Sequence, residues 1–337
     1  MLHKSVLLNE SIQGLNIKNN GIYVDATLGY GGHSSNILKL IPNGFLYAFD
    51  QDSYAVNYSK EKLSKVGNNF KIIKSNFVNM KSELHNVNVD KVDGILFDLG
   101  VSSVQLDQAE RGFSFHKDAK LDMRMDTDVD FSAYDVVNNY SYNDLVRILR
   151  DYGEEKYSTS IANNIIKYRQ NKNIETTFEL VDIIKSSMPY KAMRDGHPAR
   201  KTFQAIRIEV NNELGVLESA LEDAIDLLNV GGRLCVITFQ SLEDRIVKKI
   251  FKKYSEIDSK FKSLPYIPDE YMPILKVVGK SIVASSDELN DNYRAHSARL
   301  RIVEKIRWFI WKRIKRKSSF LNLKDLCINF VYLLLFY

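Results

Sequence analysis

Four short apolar runs bounded by turn residues, at 22–26, 45–49, 70–73 and 92–97, punctuate the first hundred residues. Their length and their β-branched and aromatic content predict strands. Between them, residues 33–40, 54–66 and 80–84 carry apolar positions at helical spacing. Strands alternating with helices predict βαβ units, a parallel sheet and right-handed crossovers. After Asp98 the pattern changes to helical spacing at 142–151, 157–169 and 177–187, with no convincing strand for nearly a hundred residues. This predicts an inserted all-α domain. The sheet resumes after one long helix over 200–229 and the turn Val230-Gly231-Gly232. Residues 233–239 read as a strand, and Ser241 reads as the N-cap of the next helix, with Asp244 placed for a capping box. Runs at 275–278 and 299–303 complete the sheet as an antiparallel edge. The expected fold is α/β, seven strands with an insertion after the fourth. Its parts are a sheet domain in two pieces (1–104 and 200–304), a helical domain (105–199) and an atypical tail (305–337).

Charge narrows the partners. The formal net charge is +5, but residues 305–337 hold a local net of +7, so the preceding 304 residues sum to about −2. A generally basic surface is therefore not indicated, and a polyanion must be gripped by local patches. One such patch contains Lys191, Arg194, Arg200, Lys201 and Arg207 against a single acid, Asp195. Two cysteines, Cys235 and Cys327, make neither a disulfide framework nor a thiolate cluster, which suits a reducing cytoplasm. The histidines lack H-x-x-x-H and H-E-x-x-H spacing, so no metal is expected. The N-terminus does not read as a signal peptide, and no apolar run reaches the eighteen residues of a membrane span.

Candidate chemistry gathers at the predicted strand ends. The first strand runs into V-D-A-T-L-G-Y-G-G-H-S, where Gly29, Gly31 and Ser34 match two of the three glycines of a dinucleotide turn. Asp50 follows about twenty residues later, the spacing at which a carboxylate receives ribose hydroxyls, while Asp52 or Ser53 reads as the better N-cap of the helix over 54–66. Together they predict a nucleoside-bearing cofactor, without separating a nicotinamide from S-adenosylmethionine. Phe77, after the third strand, could cover an adenine or belong to the core. Asp25 could meet the cofactor or brace the turn. Asp98 ends the fourth strand and opens D-L-G-V-S-S, a carboxylate where an open α/β sheet binds its ligands.

Eight blocks in order, T-L-G-Y-G-G-H-S, D-G-I-L-F-D-L-G-V-S-S, Q-L-D, E-R-G-F-S-F, L-D-M-R-M-D, Y-G-E-E, T-F-Q-A-I-R-I-E-V-N-N-E-L and S-L-E-D-R-I-V-K, resemble the RsmH (MraW) family over about residues 3–304. These are bacterial methyltransferases acting on cytosine N4 of 16S ribosomal RNA. The resemblance implies a class I, Rossmann-like methyltransferase sheet using S-adenosyl-L-methionine, an inserted helical substrate domain and the small ribosomal subunit as partner. The family target is cytosine 1402 of the decoding region. By motif it implies cofactor contacts at Gly31, Gly32, His33, Asp50, Phe77, Asp98 and Gln105. Asp98 doubles as the candidate catalytic acceptor for the amine. Arg111, Phe113 and Phe115 are the residues expected to stack the target base, and Arg200 and Lys201 to hold its phosphates. A second copy of the chain is carried as a candidate partner.

Two departures stand out. Gln240 replaces the histidine of the family's S-F-H-S-L-E-D-R block, which argues against a required imidazole base there. The tail after residue 304 has no family counterpart and is read as an extension without function, testable by truncation after Glu304. Competing readings are a DNA amino-methyltransferase, disfavoured because D-L-G-V-S-S lacks paired prolines, and a catalytically impaired ribosome-binding protein that keeps the cofactor pocket.

Overall fold

A computed structural model describes residues 5–102, 105–106, 108–194, 196–263 and 265–308. Most of the tail, from Phe309 onward with Cys327, lies outside the described residues, as does Asp195 of the basic patch. A short helix that the spacing did not reveal, α1 (Leu8–Leu15), precedes the sheet. Then β1 (Ile22–Asp25), α2 (Gly32–Leu40), β2 (Phe45–Asp50), α3 (Ser53–Ser64), β3 (Phe70–Lys74), α4 (Met80–Asn86) and β4 (Val92–Asp98) alternate. The inserted region supplies α5 (Ala133–Asn139), α6 (Tyr142–Asp151), α7 (Ser158–Arg169) and α8 (Thr177–Ser186). It leads into α9 (Arg200–Asn211) and α10 (Glu213–Leu227). The chain closes with β5 (Leu228–Thr238), α11 (Ser241–Ser255), β6 (Leu275–Val277), α12 (Ser286–Asp291) and β7 (Arg299–Lys305).

The seven strands form one sheet in the order β3-β2-β1-β4-β5-β7-β6. β1 to β5 are parallel, and β7 runs antiparallel between β5 and β6. Both faces are covered, so the strands read as continuous apolar runs rather than as alternating ones. Val24, Phe49, Ile95, Phe97 and Val236 pack under α4, α10 and α11. Their neighbours Tyr23, Leu46, Ala48, Leu96, Cys235 and Ile237 pack on the opposite face with α1, α2 and α3, as the two-residue period of a strand requires. Because β2 and β4 flank β1 on opposite sides, the winding direction reverses there, which opens a crevice at the carboxyl ends of β1 and β4.

A second core joins the inserted helices: Val136, Leu145, Ile148, Ile161, Leu180 and Ile184 pack together, and Phe203 and Ile206 of α9 complete it. Hence α9 packs with the insertion, across the boundary drawn at residue 199. The single helix expected over 200–229 is two helices, broken at Asn212, which holds φ +47°. Asparagine tolerates this left-handed conformation better than most residues. The cap of α11 also differs from expectation. Gln240, not Ser241, is the N-cap, and Glu243 rather than Asp244 turns back to accept from the N–H groups of Phe239 and Gln240, at 2.8 and 3.3 Å. Among the described residues no helix is long and apolar enough to cross a membrane.

Candidate cofactor and substrate site

The carboxyl ends of β1 and β4 are laced together by short polar contacts. Asp25 is buried; one carboxylate oxygen accepts from the Thr27 N–H at 3.1 Å and the other from the Ser34 hydroxyl at 2.6 Å. It therefore braces the turn. Thr27 Oγ1 in turn accepts from the Asp98 N–H at 2.7 Å, fixing the glycine turn against the end of β4. Gly31 is the N-cap of α2 at φ +65°, a left-handed conformation that favours glycine. The N–H groups of the first turn of α2 point to this end of the sheet, a natural seat for polar or anionic ligand groups.

His33 is buried in that turn. Its Nε2 lies 3.2 Å from the Val6 carbonyl, which can only accept, so Nε2 carries the hydrogen. Nδ1 then faces Asp98 Oδ2 at 3.5 Å, a contact that becomes attractive when the pair shares one proton. Burial first, and then the negative charges of Asp25 and Glu243, push the Asp98 carboxyl well above the ordinary carboxylate range. Among the described residues its Oδ1 is buried with no hydrogen-bond partner. A buried acceptor left open in this way is costly unless a ligand donor fills it.

Asp50, at the end of β2, accepts from the Gly29 and Asp52 N–H groups, each at 2.9 Å. Burial raises its carboxyl to about 6, against the pull of those two donors. Beside it a cleft is lined by Gln51, Asn76, Phe77, Leu99, Gly100 and Glu243. Phe77 leans edge-on against Phe97 with ring centres 5.4 Å apart, while Asn76 donates to Gln51 Oε1 at 2.8 Å. The cleft thus has an aromatic wall and a polar rim at one strand end.

The loop after β4 is tied to this cleft through Asp52. That buried carboxylate caps α3 by accepting from the Tyr54 N–H, and its Oδ2 also accepts from Gln105 Nε2 at 3.1 Å and Arg111 Nη1 at 2.7 Å. Gln105 Oε1 accepts from the Ser102 N–H, so one amide joins the segment 98–102 to the cap of α3. Arg111 further donates to the carbonyls of Arg124 and Met125, at 2.8 and 3.3 Å, and is only 12% exposed. This corrects part of the expected base-stacking group. Arg111 is occupied by an internal carboxylate and two carbonyls, and Phe113 is buried in the helical core, because both serve to seat the loop on the insertion. Phe115 is half-buried and stacks on His197 at 4.3 Å. Arg200 is exposed, and Lys201 donates to the Glu154 carbonyl at 3.0 Å.

Gln240 lies just beyond the end of β5, where Ile237 is the register partner of Asp98 on β4, and its side chain donates to Glu243 Oε1 at 3.0 Å. The structure therefore brings Gly31, Gly32, His33, Asp50, Phe77, Asp98 and Gln105 to one end of the sheet, with Arg200 and Lys201 on the helical insertion. Residues 1–306 match the MraW methylase family. Ribosomal RNA small subunit methyltransferase H of Exiguobacterium sibiricum is 58% identical over 307 residues, covering 90% of this chain and 98% of that protein. The chain belongs to the MraW methylase family. Fainter likenesses reach an rRNA methylase from Streptococcus thermophilus (12% identity, TM-score 0.42, 91% of this chain and 100% of that one) and NSun6 from Pyrococcus horikoshii with SFG (12%, 0.41, 90% and 53%).

Two contributors to this MraW-family site were not singled out for it in the sequence. Asp52 was visible only as a cap, since nothing local announces partners fifty-three and fifty-nine residues away. Glu243 was foreseeable: it stands three residues after Gln240, where a capping-box carboxylate belongs.

Proposed function

We propose that the chain transfers a methyl group from S-adenosyl-L-methionine to the N4 amine of a cytosine in 16S ribosomal RNA, the decoding-region cytosine 1402 being the position taken from the family. The observation that carries this reading is the buried, unfilled Oδ1 of Asp98 at the crevice between β1 and β4, in a chain 58% identical to a small-subunit rRNA methyltransferase. The cleft's chemistry fits the cofactor. Asp50 keeps lone pairs for ribose hydroxyls, Phe77 offers an aromatic face for the adenine, and Gly31, Gly32 and His33 bring backbone close at the start of α2. Gln105, anchored on Asp52, shapes the segment 98–102 that closes the site.

When bound, S-adenosylmethionine supplies a methyl on a sulfonium, an electrophile that needs positioning rather than a metal. The residues of the chain must then deal with a weak nucleophile, because the cytosine amine delocalises its lone pair into the ring. Asp98 accepts a hydrogen of that amine, localises the lone pair and stabilises the charge that develops on nitrogen. His33, with Nδ1 facing the carboxylate, is placed to share the proton. Gln240 offers no proton relay, so the chemistry rests on Asp98. The base must be unstacked to reach this depth.

The test is incubation of the purified protein with methyl-labelled S-adenosylmethionine and naked 16S RNA, assembled small subunits or duplex DNA, followed by nucleoside analysis. Labelled N4-methylcytidine from one RNA substrate and none from DNA is expected. Label on DNA, on another base atom or nowhere would overturn the proposal.

A further inference from the structure

We infer that Phe115, His116 and His197 form a platform on the helical insertion that stacks one unpaired nucleobase of the RNA, next to the target base rather than the target itself. The inference rests on the RNA reading above and adds a site to it. The three rings form one cluster: Phe115 lies 4.3 Å from His197 with planes 19° apart, His116 is 4.5 Å from Phe115, and the two imidazoles are 5.2 Å apart. Phe203 of α9 supports the cluster from within, edge-on to Phe115 at 5.6 Å. The cluster is graded from inside to outside, with Phe203 buried, Phe115 and His197 half-buried and His116 exposed. The exposed His116 is tilted 52° against Phe115 and stands 65° to His197, so it walls the stacked Phe115–His197 pair and leaves its own ring open to solvent.

The rings are also held in place. His197 Nδ1 accepts from the Ala199 N–H at 3.3 Å, which orients the imidazole. Burial, then His116 and Lys185, hold its pKa below the ordinary histidine range, so at neutral pH it presents a neutral aromatic surface. Around the rim stand exposed cations: Lys117 next in the chain, Lys185 on α8, and Arg200, whose N–H donates to the His197 carbonyl at 3.1 Å. Two acids lie close by. Asp182 is 3.7 Å from Lys185, and the Asp118 carboxylate accepts from the Phe178 N–H at 3.1 Å. Those three cations stand against these two acids, with Lys185 paired to Asp182.

Aromatic rings with cations at their edge suit single-stranded RNA, whose splayed bases stack and whose phosphates pair with lysine and arginine. His116 is five residues along the chain from Arg111, which is anchored on Asp52 beside the cleft. At ~3.5 Å per residue the platform lies within ~18 Å of that anchor, the reach of a nucleotide flanking the target.

The experiment measures binding of a fluorescent ten-nucleotide oligocytidine by anisotropy, with the intact protein and the variants His116→Ala, His116→Tyr and His116→Lys. His116→Ala should weaken binding about tenfold, the size of one base-aromatic stack. His116→Tyr should stay within about twofold of the parent protein, a rescue expected of a replaced stacking face. S-adenosylmethionine affinity and melting temperature should not change in any of them. Undiminished binding by His116→Ala overturns the platform and leaves the RNA reading standing. Rescue by His116→Lys but not by His116→Tyr also overturns it, since charge alone would then hold the strand. A parent protein that binds neither the oligonucleotide nor small subunits overturns both.

Discussion

At the scale of single residues, the site is a set of carboxylates whose proton affinities are set by burial. Asp50 is raised to about 6 in the free protein, and only its ionised form accepts ribose hydroxyls on both oxygens. Affinity for S-adenosylmethionine should therefore be level above pH ~6.5 and fall as pH drops through ~6, by up to about tenfold per unit below it. Calorimetric titration of cofactor between pH 5 and 8 checks this, and Asp50→Asn should remove the inflection near 6 while binding weakly throughout. Asp98 calls for a different substitution. Asp98→Asn keeps the size and one acceptor but cannot take up a proton from the amine as the raised Asp98 carboxyl can, so kcat at saturating cofactor should fall by about 10²-fold or more. An unchanged kcat with a raised cofactor Kd would reduce Asp98 to a cofactor contact. Asp50 and Asp98 were legible in the sequence because each ends an apolar run. Asp52 was legible only as a cap, because its bonds to Gln105 and Arg111 are made by the fold and not by local pattern.

At the scale of elements, the join between α9 and α10 governs how the insertion meets the sheet domain. Residues 200–229 carry one continuous helical period, and nothing in E-V-N-N-E-L says which asparagine turns left-handed. What selects Asn212 is tertiary: Asn211 is held by the Met123 carbonyl and the Met125 N–H, and Arg207 grips Glu213 with two bonds of 2.8 and 2.9 Å across the break. The strands were readable because each is a short apolar run bounded by turn residues. The break was not, because its cause lies in the segment 123–125, more than eighty residues earlier. The Arg207–Glu213 pair is nearly buried, with 17% and 11% of the side chains exposed. Arg207→Met strands a buried carboxylate and should destabilise the protein by about 3–5 kcal/mol. Adding Glu213→Leu should recover most of that loss, since an apolar pair needs no solvation. Urea unfolding of the single and double variants measures both, and a double variant no better than the single would show that the pair is not the clasp.

At the scale of the whole molecule, the described chain packs as a sheet covered on both faces and a helical core that includes α9, and the question is where the folded unit ends. The antiparallel edge was predicted at 299–303, but β7 continues to Lys305, whose side chain turns into the protein. Its Nζ donates to the carbonyls of Ile225, Asp226 and Leu228, at 2.8, 3.0 and 2.8 Å, and so satisfies the C-terminal end of α10, while Trp308 covers the ammonium at 5.1 Å. Burial, with Lys91 beside it, lowers the Lys305 pKa to about 8, against the attraction of Asp226. A tail truncation after Glu304 therefore removes a structural cap together with the tail, and a loss of methylation in that variant would say nothing about the tail. The informative pair is truncation after Trp308 against truncation after Glu304. The first keeps every contact described for the sheet and the helical core and should leave melting temperature and methyl transfer unchanged. The second leaves three carbonyls short of their donor and should cost about 3 kcal/mol, read as a melting temperature several degrees lower. The pH dependence supplies a signature of the cause. The lysine ammonium is disfavoured in the folded state, so the unfolded chain binds the extra proton between pH ~8 and ~10.4, and the longer protein gains stability as pH rises through that window. The shorter one should lack that gain. If truncation after Trp308 abolishes methylation of small subunits while the melting temperature holds, the segment 309–337 takes part in substrate capture and the reading of it as functionless is wrong.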